Sequence, residues 1–249
     1  MRLRRYLFVC ILVLVVPLIG LAQESAQEAE KVEANRDDKI IGAGDKAAEA
    51  EKVAVPVPTP LEFARKDAAY KSAYHDVYHI LSTPNPCSSF FGGPSTAVEV
   101  LNNLFSELET SRLSDSKTGL TMSGQTRDMS NARTGARYRL FEKAVINTSG
   151  PFYRRKFSRS DSFVPNVGSF EPNTREARAA ILLHEMGHLL QGANGLWLLP
   201  NDGKSDEQSI KNTSTIETRC GEQIKELSRS KAGAKGIAPE KGSEPQSSQ

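Results

Sequence analysis

The residues of this chain best suited to chemistry form one short sequence, His184-Glu185-Met186-Gly187-His188. The two histidines are four residues apart, so on an α-helix both imidazoles project from one face and can reach a single metal ion. Glu185 lies about 100° further round the helix, where its carboxylate can approach a metal-bound water without binding the metal. Zinc lowers the pKa of such a water to about 7, and the carboxylate can accept its proton during attack on a carbonyl. The motif therefore predicts a hydrolytic zinc site.

The surrounding residues predict the helix that this motif requires. Residues 179–190 are mostly apolar, Asn173 with Glu176 forms a candidate N-terminal cap, and Gly192 and Gly195 follow the apolar stretch. The alternative interpretation is that both histidines are core residues without a metal. In that case their ring nitrogens would need other hydrogen-bond partners.

The motif and its setting resemble the zincin metallopeptidases. In that family the two histidines bind zinc and the glutamate is the general base, which implies His184 and His188 as ligands and Glu185 as the catalytic residue. The resemblance implies an α+β, zincin-like fold, with a small antiparallel or mixed sheet edge beside a helical core that carries the motif. It also implies a peptide or protein substrate. An edge strand pairs with the substrate in zincins, and residues 138–146 are the candidate strand here.

The third zinc ligand is ambiguous in the sequence. Metzincins continue the motif with a glycine and a third histidine, but Gln191 and Asn194 occupy the corresponding positions. No histidine follows His188, so a carboxylate is expected to complete the site. Asp202 as ligand would resemble aspzincins, and Glu217 would resemble gluzincins.

Two arguments favour different carboxylates. Helical phase places Glu217 on the apolar face of the last predicted helix, where a carboxylate needs a partner. The order of the motif, Asp202-Gly203, Asn212-Thr213 and Cys220 resembles a set of uncharacterised exported bacterial proteins, and this pattern favours Asp202. Asp202 could instead only cap its own Asn-Asp-Gly turn. Further candidates are Asp206 and Glu207.

Residues 1–22 have the features of a secretory signal peptide. A basic start precedes an apolar stretch at 7–19, and Gly20 and Ala22 suit the positions before a cleavage site. An uncleaved membrane anchor is the alternative, because about 18 uncharged residues approach the length that spans a bilayer. The protein is therefore expected to be secreted or periplasmic, with membrane contact only through this segment.

Export predicts a disulfide bond. Cys10 lies within the signal peptide, which leaves Cys87 and Cys220 as the two other cysteines. Cysteine pairs become oxidised in exported proteins. These two residues are therefore the candidate pair.

Composition divides the rest of the chain into a folded unit and two flanking segments. Residues 23–60 form an acidic and then proline-rich linker, and residues 228–249 form a polar tail, both expected to be disordered. Residues 61–227 are the expected metallopeptidase domain. The net charge of the chain is only +2, so nucleic acid is not an expected partner.

Sequence patterns predict several elements of this domain. A helix is expected at 63–81, a second helix after a capping box of Thr96 and Glu99, and a last helix from Ser205 to about Leu227. Residues 111–135 are polar and expected to be irregular, and residues 152–157 are the expected hairpin partner of strand 138–146. His75 and His79 are also four apart but lack the adjacent glutamate; they are expected at the surface or at an interface, with a second or regulatory metal site as the alternative.

Two functions from different classes fit this sequence. The first is a secreted zinc-dependent peptidase, and the second is a non-catalytic exported binding protein on a zincin-like scaffold. Three protein ligands and an open cleft over Glu185 would favour the enzyme. A fourth protein ligand, or a cleft filled by side chains, would favour the binding protein.

Overall fold

The computed structural model describes residues 55–115, 117–157, 162–203 and 205–234. The elements of this part, in chain order, are α1 (Ala68–Leu81), α2 (Pro86–Phe90), α3 (Pro94–Glu107), β1 (Leu108–Ser111), β2 (Leu120–Ser130), β3 (Arg137–Asn147), α4 (Arg175–Leu189) and α5 (Asp206–Ala234). Helices packed with one mixed three-stranded sheet confirm the predicted α+β class. The predicted signal peptide, Cys10 and most of the 23–60 linker lie outside the described residues. Within these residues, no helix combines the length and apolarity needed to cross a membrane.

The sheet has the strand order β1-β3-β2. β1 pairs in parallel with the second half of β3, with Leu108 opposite Ala144. β2 pairs antiparallel with β3 along its length, from Leu120 opposite Ile146 to Ser130 opposite Arg137. An irregularity between Ser123 and Thr126 shifts the register within this pair.

Two expectations for the strands are wrong. The predicted strand 138–146 exists as β3, but its hairpin partner is β2, within the segment expected to be irregular, and not residues 152–157. β3 is also a central strand and not an edge, because β1 and an isolated bridge from Tyr138 to Leu190 flank it opposite β2. The apolar end of β3 is buried, whereas most side chains of β2 are exposed. Polar exposed strands suit the edge of a sheet.

Helix α4 lies in the centre of the core. It packs against α1, α3 and α5 as well as β2 and β3. Eleven of its side chains or glycine backbones are buried: Ala177, Ala179, Ala180, Ile181, Leu182, Leu183, His184, Met186, Gly187, His188 and Leu189. Because a helix surrounded in this way cannot shift without disturbing several neighbours, it is a rigid support for the motif.

The helix beginnings differ in detail from the expectations. The N-cap of α4 is Thr174, whose Oγ1 accepts a hydrogen bond from the Ala177 amide at 3.1 Å, and not Asn173. α1 begins after Asp67, which caps two amides, instead of at residue 63. α5 begins after Ser205 as predicted, and the Ser205 hydroxyl accepts from the Gln208 amide at 3.2 Å.

The predicted capping box of α3 is wrong. This helix starts at Pro94, and no side chain caps it. Thr96 contacts the Thr134 hydroxyl at 2.9 Å, and Glu99 accepts a hydrogen bond from Tyr138 at 2.9 Å. Both side chains attach α3 to the sheet region.

Helix α5 continues beyond the expected end at residue 227 to residue 234.

Two cross-links attach the helices to one another. The predicted disulfide between Cys87 and Cys220 is confirmed, with Cα atoms 4.5 Å apart, and it joins α2 to α5. Arg175 donates to both carboxylate oxygens of buried Asp76 and to the Leu227 carbonyl, so one guanidinium joins α1, α4 and α5. Bidentate arginine–carboxylate pairs of this kind fix orientation as well as distance.

The proline-rich segment at 55–60, expected to be part of a disordered linker, is fastened to the domain by hydrogen bonds. Tyr78 donates to the Pro58 carbonyl at 3.1 Å, and Asn102 donates to the Thr59 carbonyl at 3.0 Å. This part of the chain therefore belongs to the folded unit.

On α1, His75 and His79 are both exposed, which confirms their expected place at the surface.

Candidate metal centre

His184 and His188 lie one turn apart on α4, and both are buried. Their ring centroids are 5.0 Å apart. Asp202, in the loop between α4 and α5, reaches both rings: its Oδ2 lies 3.0 Å from His184 Nε2 and 3.6 Å from His188 Nε2. These three side chains together could hold a metal ion.

Hydrogen bonds at both ends of the loop position Asp202. On the α4 side, the Leu199 amide donates to the Gly187 carbonyl at 2.9 Å. On the α5 side, the Asn212 side chain donates to the Pro200 carbonyl at 2.9 Å. The turn itself is closed by Asn201, whose side-chain oxygen accepts from the Gly203 amide at 3.0 Å. The Asp202 carboxylate is therefore directed at the histidines and does not cap the turn.

His188 is held in the tautomer that a metal ligand requires. Its Nδ1 lies 3.4 Å from the Leu199 carbonyl oxygen, which can only accept, so Nδ1 carries the hydrogen. In the neutral ring Nε2 then has a free lone pair, and this buried atom has no hydrogen-bond partner among the described residues. It faces Asp202 Oδ2, another acceptor. Two acceptors facing each other at 3.6 Å need a cation between them, either a proton or a metal ion.

The pKa values of His188 and Asp202 are shifted in the directions that favour a cation between them. Burial alone would lower the pKa of His188, but the neighbouring Asp202 and Glu185 carboxylates outweigh it and raise that pKa. Burial alone would raise the pKa of Asp202, but the interactions with His184 and His188 hold it well below its ordinary value. The site therefore stabilises positive charge between the carboxylate and the imidazoles.

Glu185 lies beside this group and is not part of it. Its side chain is partly buried, and no hydrogen bond to its carboxylate occurs within the described part of the chain. Burial raises the pKa of Glu185, while the two neighbouring histidines act in the opposite direction. A carboxylate with a raised pKa is a stronger base than one exposed to water.

Of the four candidate third ligands, only Asp202 approaches the histidines. Glu217 instead accepts a hydrogen bond from the Ser169 amide at 2.5 Å. Asp206 is exposed, and Glu207 pairs with Lys211 at 2.7 Å on the surface of α5. Asp202 therefore has the placement that the sequence pattern favours, whereas the partly buried Glu217 carboxylate is directed at the Ser169 amide and not at the histidines.

No protein family model, curated protein or solved structure matches this chain. Its function must therefore be inferred from the geometry of the site.

Sequence reasoning missed three groups that support the site: two contact His188, and the third, Thr213, contacts His184. Arg139 on β3 donates through Nε to the His188 carbonyl at 3.0 Å, and its guanidinium stacks 4.0 Å from the Trp197 ring centroid. The Leu199 carbonyl, which orients His188, is the second. An arginine in a strand and a main-chain carbonyl in a loop carry no local pattern that connects them to a motif elsewhere in the chain.

Gly187 allows the loop to lie against α4, and we expect Gly187→Ala to disturb the site. A methyl group there would lie 2.5 Å from two side-chain carbons of Leu199. Leu199 would have to move, together with the carbonyl that orients His188. We expect a loss of about 1–3 kcal/mol in the free energy of unfolding, measured in urea.

Gly221→Ala on α5 is the matched control, because an added methyl group there meets no atom within 4 Å. That variant should be as stable as the wild type or up to about 1 kcal/mol more stable. Equal stability of the two variants would show that close approach at Gly187 is unimportant.

Proposed function

We propose that this chain is a zinc-dependent peptidase of the zincin type that acts after export. The observation that carries the proposal is the set of three ligand atoms from His184, His188 and Asp202, which lie within 4.8 Å of one another, with Glu185 beside them. The histidines and Glu185 occur in the arrangement that zincins use. The zincin-like fold is part of the same proposal, supported by a buried motif helix packed against a small sheet.

The spacing of the ligand atoms is compatible with zinc. In a tetrahedral site with bonds of about 2.0–2.2 Å, ligand atoms lie about 3.3–3.6 Å from one another. Asp202 Oδ2 is 3.0 Å from one imidazole nitrogen and 3.6 Å from the other, so these two distances are within a few tenths of an ångström of that spacing. All three ligand atoms lie within 4.8 Å of one another. Nitrogen and carboxylate donors are also a set that zinc accepts.

Each residue then has a defined role in peptide hydrolysis. His184, His188 and Asp202 would hold the zinc ion, which when bound supplies Lewis-acid chemistry at the scissile carbonyl. Glu185 accepts a proton from the attacking water and returns it to the amine that leaves. Arg139 and the Leu199 carbonyl keep the end of α4 and the His188 ring in place.

The number of ligands favours an enzyme over a binding protein. The group contains three candidate ligands among the described residues. Structural zinc sites are usually closed by four protein ligands, whereas catalytic sites have three and keep one position open for water or substrate. The buried disulfide supports export to a secreted or periplasmic location, because such bonds persist in oxidising compartments.

Asp202→Ala tests the third ligand. We expect zinc affinity to fall by more than about 100-fold, because even residues that only support ligands change affinity by 10–100-fold. Glu217→Ala is the control, since Glu217 is a partly buried acid on the adjacent helix. It should retain zinc. Similar zinc affinities of the two variants, measured by competition with a chromophoric chelator, would exclude Asp202 as a ligand.

Peptide-library hydrolysis tests the activity itself. The wild-type protein should cleave peptides, lose this activity when a chelator removes the metal, and regain it when zinc is added. Binding of zinc without cleavage of any peptide would support the exported binding protein instead. Cleavage that is insensitive to the chelator would contradict the metallopeptidase proposal.

A further inference from the structure

The hydroxyl group of Thr213 is oriented differently from those of its neighbours on α5. Thr215 donates to the carbonyl of Lys211 at 3.0 Å, and Thr218 donates to that of Ser214 at 2.9 Å, the usual bond of a helical threonine to its own backbone. Thr213 makes no such bond within the described residues. Its Oγ1 instead lies 3.0 Å from His184 Nδ1.

Packing holds the Thr213 side chain in this orientation. The turn at residues 167–170 passes so close that a side chain at Gly168 would approach Thr213 Cγ2 to 3.0 Å. Gly168 also has a φ of 58°, which favours glycine. The adjacent Asn212 is bonded to the Pro200 carbonyl, and the disulfide at Cys220 fastens the helix further along.

The two histidines therefore have different partners behind their rings. Nδ1 of His188 faces a carbonyl, which can only accept, so that ring is fixed in one tautomer. Nδ1 of His184 faces a hydroxyl, which can either donate or accept. Nε2 of His184 lies 3.0 Å from Asp202 Oδ2, so without a metal it is the natural donor to that carboxylate.

We propose that Thr213 is a positioning residue whose hydroxyl reverses its hydrogen bond with His184 when the metal binds; this inference rests on the proposed function. Without metal, His184 Nε2–H donates to Asp202, and the Thr213 hydroxyl donates to Nδ1. With metal, Nε2 must present its lone pair, so the ring loses the Nε2 proton to solvent and takes one up at Nδ1. Nδ1–H then donates to Thr213.

Three variants test this inference. Thr213→Val keeps the shape of the side chain but removes the hydroxyl, so metal-bound Nδ1–H has no acceptor. Thr213→Ser keeps the hydroxyl. Thr215→Val is the matched control, a partly buried threonine on the same helix whose hydroxyl bonds only its own backbone. We expect zinc affinity to fall about 10–100-fold in Thr213→Val and to change by no more than about 3-fold in the other two.

Nitrogen-15 NMR of the histidine ring provides the second readout. At alkaline pH without metal, wild-type His184 should carry its hydrogen on Nε2, and addition of zinc alone should move it to Nδ1. Equal zinc affinity of wild type and Thr213→Val, or an unchanged hydrogen position on His184 after zinc binds, would overturn the inference.

If the proposed function is wrong, zinc uptake and peptide cleavage give a different pattern from the one expected if only the role of Thr213 is wrong. A wild-type protein that takes up no zinc overturns both the metal centre and the role of Thr213. Zinc uptake with the expected loss in Thr213→Val, but without peptide cleavage, overturns only the peptidase proposal. The two proposals therefore fail separately or together in distinguishable ways.

Discussion

Glu185→Gln should abolish peptide hydrolysis while the protein still binds zinc. Glutamine has nearly the same shape but cannot accept the proton of the attacking water, and loss of a general base typically costs about 10²–10⁴-fold in rate. Because Glu185 is proposed to bind no metal and makes no hydrogen bond within the described residues, the three ligands should keep their positions. Steady-state cleavage of a fluorogenic peptide and a zinc titration of the same sample measure the two properties.

Glu176→Gln is the matched control for this change. Glu176 is also a partly buried glutamate on α4. It lies in the first turn of this helix, two turns before the motif. Its substitution should leave turnover within about 2-fold of the wild type. Wild-type turnover in Glu185→Gln would contradict the general-base assignment, and loss of zinc in that variant would show that Glu185 supports the ligands instead.

Removal of the disulfide should cause the largest loss of stability among these changes. Cys87 and Cys220 are separated by 133 positions in the sequence. Closing a loop of this length restricts the unfolded chain and stabilises the folded state by about 4–5 kcal/mol in the chain-entropy model. We expect a loss of this size in the free energy of unfolding in urea for the double variant Cys87→Ala, Cys220→Ala.

The same variant should bind zinc more weakly, because α5 positions two parts of the site. Thr213 contacts His184, and Asn212 holds the loop that carries Asp202. Reduced wild-type protein serves as the control, since it loses the cross-link without the two truncated side chains. A loss of less than about 1 kcal/mol in both samples would contradict the assigned role of the disulfide.

The motif helix could be predicted from sequence because its signals are local. An apolar stretch around two histidines predicted a buried helix, and α4 is buried on nearly every side. The choice of Asp202 came from a resemblance in residue order. Helical phase could not distinguish a zinc ligand from a carboxylate with another partner: Glu217 is partly buried on α5, but it accepts a hydrogen bond from the Ser169 amide. The buried face of α5 is formed by Ile216, Cys220, Ile224 and Leu227.

Strand β2 could not be predicted because its sequence has no alternation. Nearly all of its side chains are exposed or only partly buried, and the register shift between Ser123 and Thr126 interrupts the period of two. Its conformation is determined by backbone pairing with β3. The contacts of Arg139 and Thr213 to the histidines were missed for a related reason, since each joins segments that only the folded chain brings together.

X-ray absorption at the zinc edge of the purified protein tests the central claim most directly. The account predicts one zinc ion per chain with only nitrogen and oxygen ligands at about 2.0–2.2 Å, from His184, His188 and Asp202 together with solvent. Cys87 and Cys220 form a disulfide and should contribute no sulfur. Protein that retains no zinc, or a sulfur ligand at about 2.3 Å, would contradict the proposed metal centre.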